Sequence, residues 1–373
     1  VMDELTQNAK YGDTSKVQAN LRATYEFVLE IVGESRREVR PLRSAFFDAP
    51  ADRQAAVLRS TAFRALANEW LRDLTQSTEA PPDPSATHLL RASLETVTHG
   101  RPEDLPHGLT YFEAIRPSSR DALRGIWTAE MKPDLEAAAG QRIELADDPD
   151  AGVHDAIWNA IRGIAAIDPD LCHSIMPHVD VACRIVRAPT EGRDKPMMES
   201  SSHYALPGAI FLADHAAAGG QATCMEAVLH ESTHQKYFDI VATYQVFRDG
   251  YSPTTSAQVT VPWNAHREQI LREWAADRVL IALHVYVHLA RLFAANAAAN
   301  TASAEEATAA ARRCLERSVW LSDAARGPLA DEYTQEGRLF RDWTLDRVSE
   351  AWLESNDALP DISRLSQELL TVR

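Results

Sequence analysis

Positive charge is in deficit in this sequence: 38 Lys and Arg stand against 54 Asp and Glu over 373 residues, a formal net charge of −16, with a pI of 5.3. A surface of that sign repels phosphate backbones and anionic headgroups, so neither nucleic acid nor membrane is expected as a partner. Cysteine is sparse as well. Cys172, Cys183, Cys224 and Cys314 are scattered through apolar or helical contexts, with no C-x-x-C pair. They read as reduced core thiols of a cytosolic protein rather than as a disulfide framework. No uninterrupted apolar run approaches the length of a membrane span, and no signal peptide is read, so a cytoplasmic location is expected. No internal repeat is visible. What the chain does have is 45% hydrophobic and 25% charged residues, enough apolar surface for one large domain or two.

Helical periodicity dominates. Val17, Leu21, Tyr25, Val28 and Val32 recur at three- and four-residue steps, predicting a helix over about 12–45 that Pro41 kinks or ends. A second helix is predicted from Ala51 to Leu74, and others begin near His88, Ser118, Asp147 and Asp168. Around Val181–Val186 and Pro207–Ala213 the pattern turns β-rich, predicting two strands. After them come a buried helix, a loop over about 248–262, a long helix from about Arg267 to Asn296, and a closing helical layer. The expected architecture is mainly α, with a small β-sheet packed on one central helix. The expected organisation is a helical scaffold over 1–177, a metal-binding catalytic region over 178–300 and a C-terminal helical layer over 301–373.

That central helix carries Met225-Glu226-Ala227-Val228-Leu229-His230-Glu231-Ser232-Thr233-His234, which contains H-E-x-x-H. Residues four apart share a helix face, so His230 and His234 can turn two imidazoles toward one metal ion. Glu231, about 100° further round, can reach a metal-bound water. Arg272-Glu273-Trp274-Ala275-Ala276-Asp277 then offers E-x-x-x-D on what reads as a second helix. In a gluzincin-like arrangement Glu273 is the third ligand, and Asp277 orients a ligand histidine. His284 and His288 lie further along, also four apart. His284 shares a stripe with Glu273 and Asp277, which makes it the rival third ligand or a substrate contact. His173 and His178 read as structural. Ser200–Ser202 read either as a polar turn or as the mouth of a pocket, with Ser202 a possible substrate contact. A strand edge ahead of the metal helix offers backbone pairing to an extended peptide.

The succession Ser200-Ser201-Ser202, Leu206 to Leu212, Glu226 to Lys236 and Val261-Pro262-Trp263-Asn264, followed by a long helix, resembles the H-E-x-x-H peptide-modification proteins found beside ribosomally made peptides in bacteria. The resemblance spans roughly residues 178–295. It implies Fe(II)- and 2-oxoglutarate-dependent hydroxylation at a β-carbon of a peptide or amino-acid side chain, within natural-product biosynthesis. Under that implication His230, His234 and Glu273 are the two-histidine, one-carboxylate set that leaves positions open for cosubstrate and oxygen. An arginine then binds the distal carboxylate of 2-oxoglutarate; Arg267, Arg272 and Arg278 qualify, and Arg267 is preferred. The same ligands also suit a zinc metallopeptidase with Glu231 as general base and His284, His288 or Tyr286 as oxyanion donor. A third reading is a non-catalytic helical binding protein with a vestigial site. The expected partner is a small molecule or a peptide, and the oligomeric state is left open.

Overall fold

The computed structural model describes residues 2–6, 10–76, 84–100, 108–187, 200–265, 272–299 and 304–356. Its helices are α1 (Met2–Thr6), α2 (Thr14–Ser35), α3 (Arg40–Asp48), α4 (Ala51–Arg59), α5 (Thr61–Gln76), α6 (Pro84–His99), α7 (Pro117–Ile126), α8 (Lys132–Ala139), α9 (Ala151–Ile167), α10 (Pro169–Ile175), α11 (Asp214–Ala218), α12 (Gln221–Thr243), α13 (Ala276–Ala299), α14 (Ala304–Arg326) and α15 (Gln335–Asn356). The strands are β1 (Thr110–Tyr111), β2 (Ile143–Leu145), β3 (Val181–Arg187), β4 (Ser201–Ser202), β5 (Ala209–Ala213), β6 (Gln258–Thr260) and β7 (Glu273–Ala275). The protein is therefore mainly helical with a small mixed sheet, as the periodicity predicts.

Two compact units divide the chain, and neither is a continuous run. A sheet unit comprises Val17–Arg162 and Ile175–Asp239; a helical unit comprises Val1–Lys16, Gly163–Ser174 and Ile240–Arg373.

In the sheet unit, five strands pair in the order β1-β3-β5-β4, with β2 also on β3. The β1–β3 and β3–β5 pairs are parallel, and the β2–β3 and β4–β5 pairs antiparallel. All of β5 is buried, as is most of β3. Burial on both faces explains why these two strands read as continuous apolar runs rather than as alternation. β4 is a short antiparallel strand against β5, so Ser201 and Ser202 belong to the sheet and not to a turn.

Two helix boundaries differ from expectation for local reasons. Pro41 stands in the first turn of α3 instead of ending a helix; with its fixed φ and missing N–H it is best tolerated there. The expected 51–74 helix is two, because Ser60 takes an extended conformation (ψ 127°) between α4 and α5. Thr61 then opens α5 with its N–H donated to the Asp180 carboxylate at 2.7 Å.

In the helical unit, α13 packs along α14 and α15. By length and composition α13 would be apolar enough to cross a bilayer, and most of it is buried inside the protein. The sequence hides this because Arg278, His284, His288 and Arg291 interrupt the run. Strands β6 and β7 form a separate antiparallel ribbon ahead of α13. All four cysteines are buried and unbridged, as expected for core thiols.

Candidate metal centre

Helix α12 is buried on nearly every side. Cys224, Met225, Val228 and Leu229 enter the core as expected, but so do Ser232, Thr233, Gln235, Lys236 and Asp239. The polar residues on the buried faces must find partners inside the protein, while Thr223, Glu226, Ala227, His230, His234 and Phe238 run along one partly exposed stripe.

Gln235, the residue after His234, bridges the helix to the sheet. Its Oε1 accepts from the Gly208 N–H at 2.7 Å, and its Nε2 donates to the Ala209 carbonyl at 2.6 Å. Gly208 sits at φ +88°, and an added Cβ there would lie 3.1 Å from Arg64, Asp180 and Thr61. Only glycine fits both the backbone and the space. Ser202 adds a further tie, its Oγ donating to the Glu231 carbonyl at 3.2 Å. The expected pocket-mouth serine is thus a contact between the edge strand and the metal-helix backbone.

Five residues beyond His234, Asp239 anchors a buried polar cluster. One carboxylate oxygen pairs with the Arg64 guanidinium, and the other takes the His178 Nδ1–H at 2.6 Å. Burial works most strongly against the charge on Arg64, but Asp239 together with Tyr25 and Asp180 outweighs it and holds the guanidinium above its ordinary range. Burial lowers His178, and Asp239 only partly opposes that, so the imidazole is neutral. His178 is structural, as the sequence suggests.

Against this fixed frame, His230 and His234 stand on one face of α12 with ring centroids 4.8 Å apart. Burial pushes the His230 pKa down to about 4. The ring is therefore neutral at physiological pH, with a lone pair to give, as a metal ligand requires. Glu231 is buried at 3% exposure.

The remaining predicted site residues lie in the helical unit. Glu273 is in β7 rather than on a helix, paired opposite Thr260, whose hydroxyl donates to its carboxylate at 2.7 Å. The E-x-x-x-D stripe is therefore not helical: α13 begins only at Ala276, with Asp277 as the acid of its first turn. Nothing local announces this, because Arg272–Ala276 tolerate a helix well; pairing with β6 overrides propensity. Asp277 accepts the Tyr251 hydroxyl at 2.5 Å, and its N–H donates back to Tyr251 at 3.0 Å. His284 is fully buried beside His288. Arg272 lies 3.4 Å from Glu273, and Arg278 lies over Trp274 at 5.0 Å. Arg267 falls outside the described residues. Among the described residues, no group of three or more His, Cys, Asp or Glu side chains is gathered tightly enough to hold a metal ion.

Sequence reasoning missed Gln235, Asp239 and Arg64. A signal was available: Gln235-Lys236 and Asp239 interleave with Tyr237 and Ile240, so polar and apolar residues share the buried side of the helix. No family model matches the chain, and no curated protein matches it.

Proposed function

We propose that the protein is a mononuclear metalloenzyme in which His230 and His234 hold the ion, and that it is an Fe(II)/2-oxoglutarate-dependent hydroxylase of the cytoplasm acting on a β-carbon of a peptide or amino-acid side chain in natural-product biosynthesis. The observation that carries the metal assignment is the pair itself: two imidazoles, 4.8 Å apart on one face of a helix whose other faces are locked into the core. The donor chemistry fits, since neutral imidazole suits iron and zinc alike. Glu273 remains the carboxylate that the sequence nominates as third ligand. The preference for iron rests on the resemblance to the H-E-x-x-H peptide-modification proteins.

Bound to these residues with its cosubstrate, iron supplies the oxidising power needed at an unactivated C–H bond. The chain's own contribution is positional. Gln235 fixes the rotation and height of α12 against β5, so the imidazoles cannot drift with helix motion. Burial keeps His230 unprotonated without a competing hydrogen-bonded base. Arg267 is proposed to hold the distal carboxylate of 2-oxoglutarate.

A zinc metallopeptidase is the second reading, favoured by the buried Glu231 carboxylate one position after His230. A single substitution separates the two. Glu231→Gln abolishes a peptidase that uses this base, whereas a hydroxylase keeps most of its 2-oxoglutarate turnover. Wild-type protein that consumes 2-oxoglutarate only with Fe(II), and consumes none after His234→Ala, supports the hydroxylase. Zinc-dependent peptide cleavage that vanishes in Glu231→Gln overturns it.

A further inference from the structure

The sheet unit contains a cleft that the proposed centre does not use. It encloses about 430 Å³ and is partly open to solvent. It forms where the break between α4 and α5, the end of α6, the first turn of α7 and the leading ends of β1 and β3 come together.

The break at Ser60 supplies the first polar group. The Ser60 backbone is fully engaged: its N–H donates to the Ala56 and Val57 carbonyls, and its carbonyl accepts the Arg64 N–H at 2.9 Å. Its side chain lines the cleft at 8% exposure, and the hydroxyl has no partner among the described residues. A hydroxyl so deeply buried normally has one, so the contents of the cleft must provide it. Arg116, half-buried, lines the same cleft. One guanidinium N–H goes to the Gly100 carbonyl at 3.3 Å, while Nε is buried without a partner among the described residues. Glu95 feels the charge of Arg116, but its carboxylate is occupied by Ser118 and Arg91. Arg116 is also the residue before α7. Its side chain makes no capping bond, and the first turn of that helix holds no acid. The N–H groups of a first turn have no acceptor inside the helix and carry its positive pole. Ser119 brings that turn to the cleft.

A guanidinium, a helix N-terminus and two serine hydroxyls are all donors, and together they select an anion. Charge limits its valence. Asp180 is in the lining too; its Oδ2 takes the Thr61 N–H at 2.7 Å, and its charge also bears on Arg64. A second negative charge on the ligand would be repelled by that carboxylate. The rest of the wall is largely apolar, with Ala62, Ile115, Leu123 and Val181, which suits an alkyl chain. We propose that this cleft binds a short aliphatic monocarboxylate, its carboxylate held by Arg116, Ser60 and the first turn of α7 and its alkyl chain by Ile115 and Leu123. A planar carboxylate matches the guanidinium fork, whereas a tetrahedral dianion gains less from it and meets Asp180. This goes beyond the proposed hydroxylase and does not depend on it.

The experiment is an isothermal titration of the full chain, stripped of metal so that no bound ion captures the carboxylate, with isovalerate. The proposal expects saturable binding of one equivalent, weakened by more than about tenfold in Arg116→Gln and by about two- to tenfold in Ser60→Ala. Isovaleramide, the neutral isostere, should bind the wild-type chain at least about tenfold more weakly, a comparison that does not depend on how a variant folds. Transferred nuclear Overhauser effects from the isovalerate methyls should reach Ile115 and Leu123. No saturable isovalerate binding, an amide that binds as well as the acid, or affinity that survives Arg116→Gln would overturn the proposal. Inorganic phosphate that binds more tightly than isovalerate would overturn it by assigning the cleft to a phosphoryl group. Failure of Fe(II) binding at His230 and His234 would leave the isovalerate result standing, so the two claims fail separately.

Discussion

Asp239 offers the sharpest test of what holds the metal helix in place. Its two carboxylate oxygens are divided between Arg64 and His178, and Asp239 and Arg64 are at 1% and 3% exposure. Asp239→Ala leaves a buried guanidinium with its charge unpaired and a buried imidazole N–H without an acceptor. Removing one partner of a buried pair costs about 3–5 kcal/mol, against a whole-domain stability of about 5–15 kcal/mol. With a urea slope of about 2 kcal/mol per molar, the unfolding midpoint should fall by about 2 M. The control is Arg64→Met combined with Asp239→Leu, which removes both charges and keeps apolar volume. Such replacements are often neutral or stabilising, so the double variant should recover most of the loss. A midpoint shift below about 0.5 M in Asp239→Ala, by the same slope, would refute the reasoning. So would a double variant as damaged as the two single variants added together, because the two groups would then be uncoupled.

Other consequences are equally direct. Gln235→Leu should cost about 2–4 kcal/mol in urea unfolding, since it strands the Gly208 N–H and the Ala209 carbonyl in the core. Gly208→Ala should destabilise by at least about 1–2 kcal/mol, because its φ of +88° and the 3.1 Å approach of Arg64, Asp180 and Thr61 oppose any side chain. In metal-free protein, His230 titrates at about 4 when folded and near 6.5 when unfolded, so the unfolded chain binds more protons between those values. Stability is then full above pH 6.5 and falls by about 3 kcal/mol as pH drops to about 4; a pH series of urea midpoints that stays flat would contradict this, and His230→Leu should flatten the slope. Thr260→Val should leave folding nearly unchanged but release the Glu273 carboxylate from its 2.7 Å hydrogen bond, readable as a change in metal affinity if Glu273 is a ligand.

The parts of this fold that were legible from sequence are those set by local period. The helix under His230, Glu231 and His234 declares itself because Cys224, Met225, Val228 and Leu229 recur at helical spacing. Strands β3 and β5 declare themselves because both faces are buried and the runs are continuously apolar. What stayed hidden depends on residues distant in sequence. Glu273 reads as helical until β6 pairs with it; Gln235 reads as an ordinary polar residue until Gly208 and Ala209 arrive beside it. His178 and Asp239 are 61 positions apart, and no pattern in either neighbourhood announces their hydrogen bond. The division into two interleaved units follows the same logic, since each is built from segments that meet only on folding.

The central claim is that His230 and His234 hold a catalytic metal. An anaerobic titration with Fe(II) and 2-oxoglutarate, followed by the weak visible charge-transfer band of the chelate, tests it most directly. A metal held by these two histidines gives a band that needs both components, saturates at one iron per chain and disappears in His230→Ala. Wild-type protein that binds neither Fe(II) nor Zn(II), or a His234→Ala variant that keeps its metal, would contradict it.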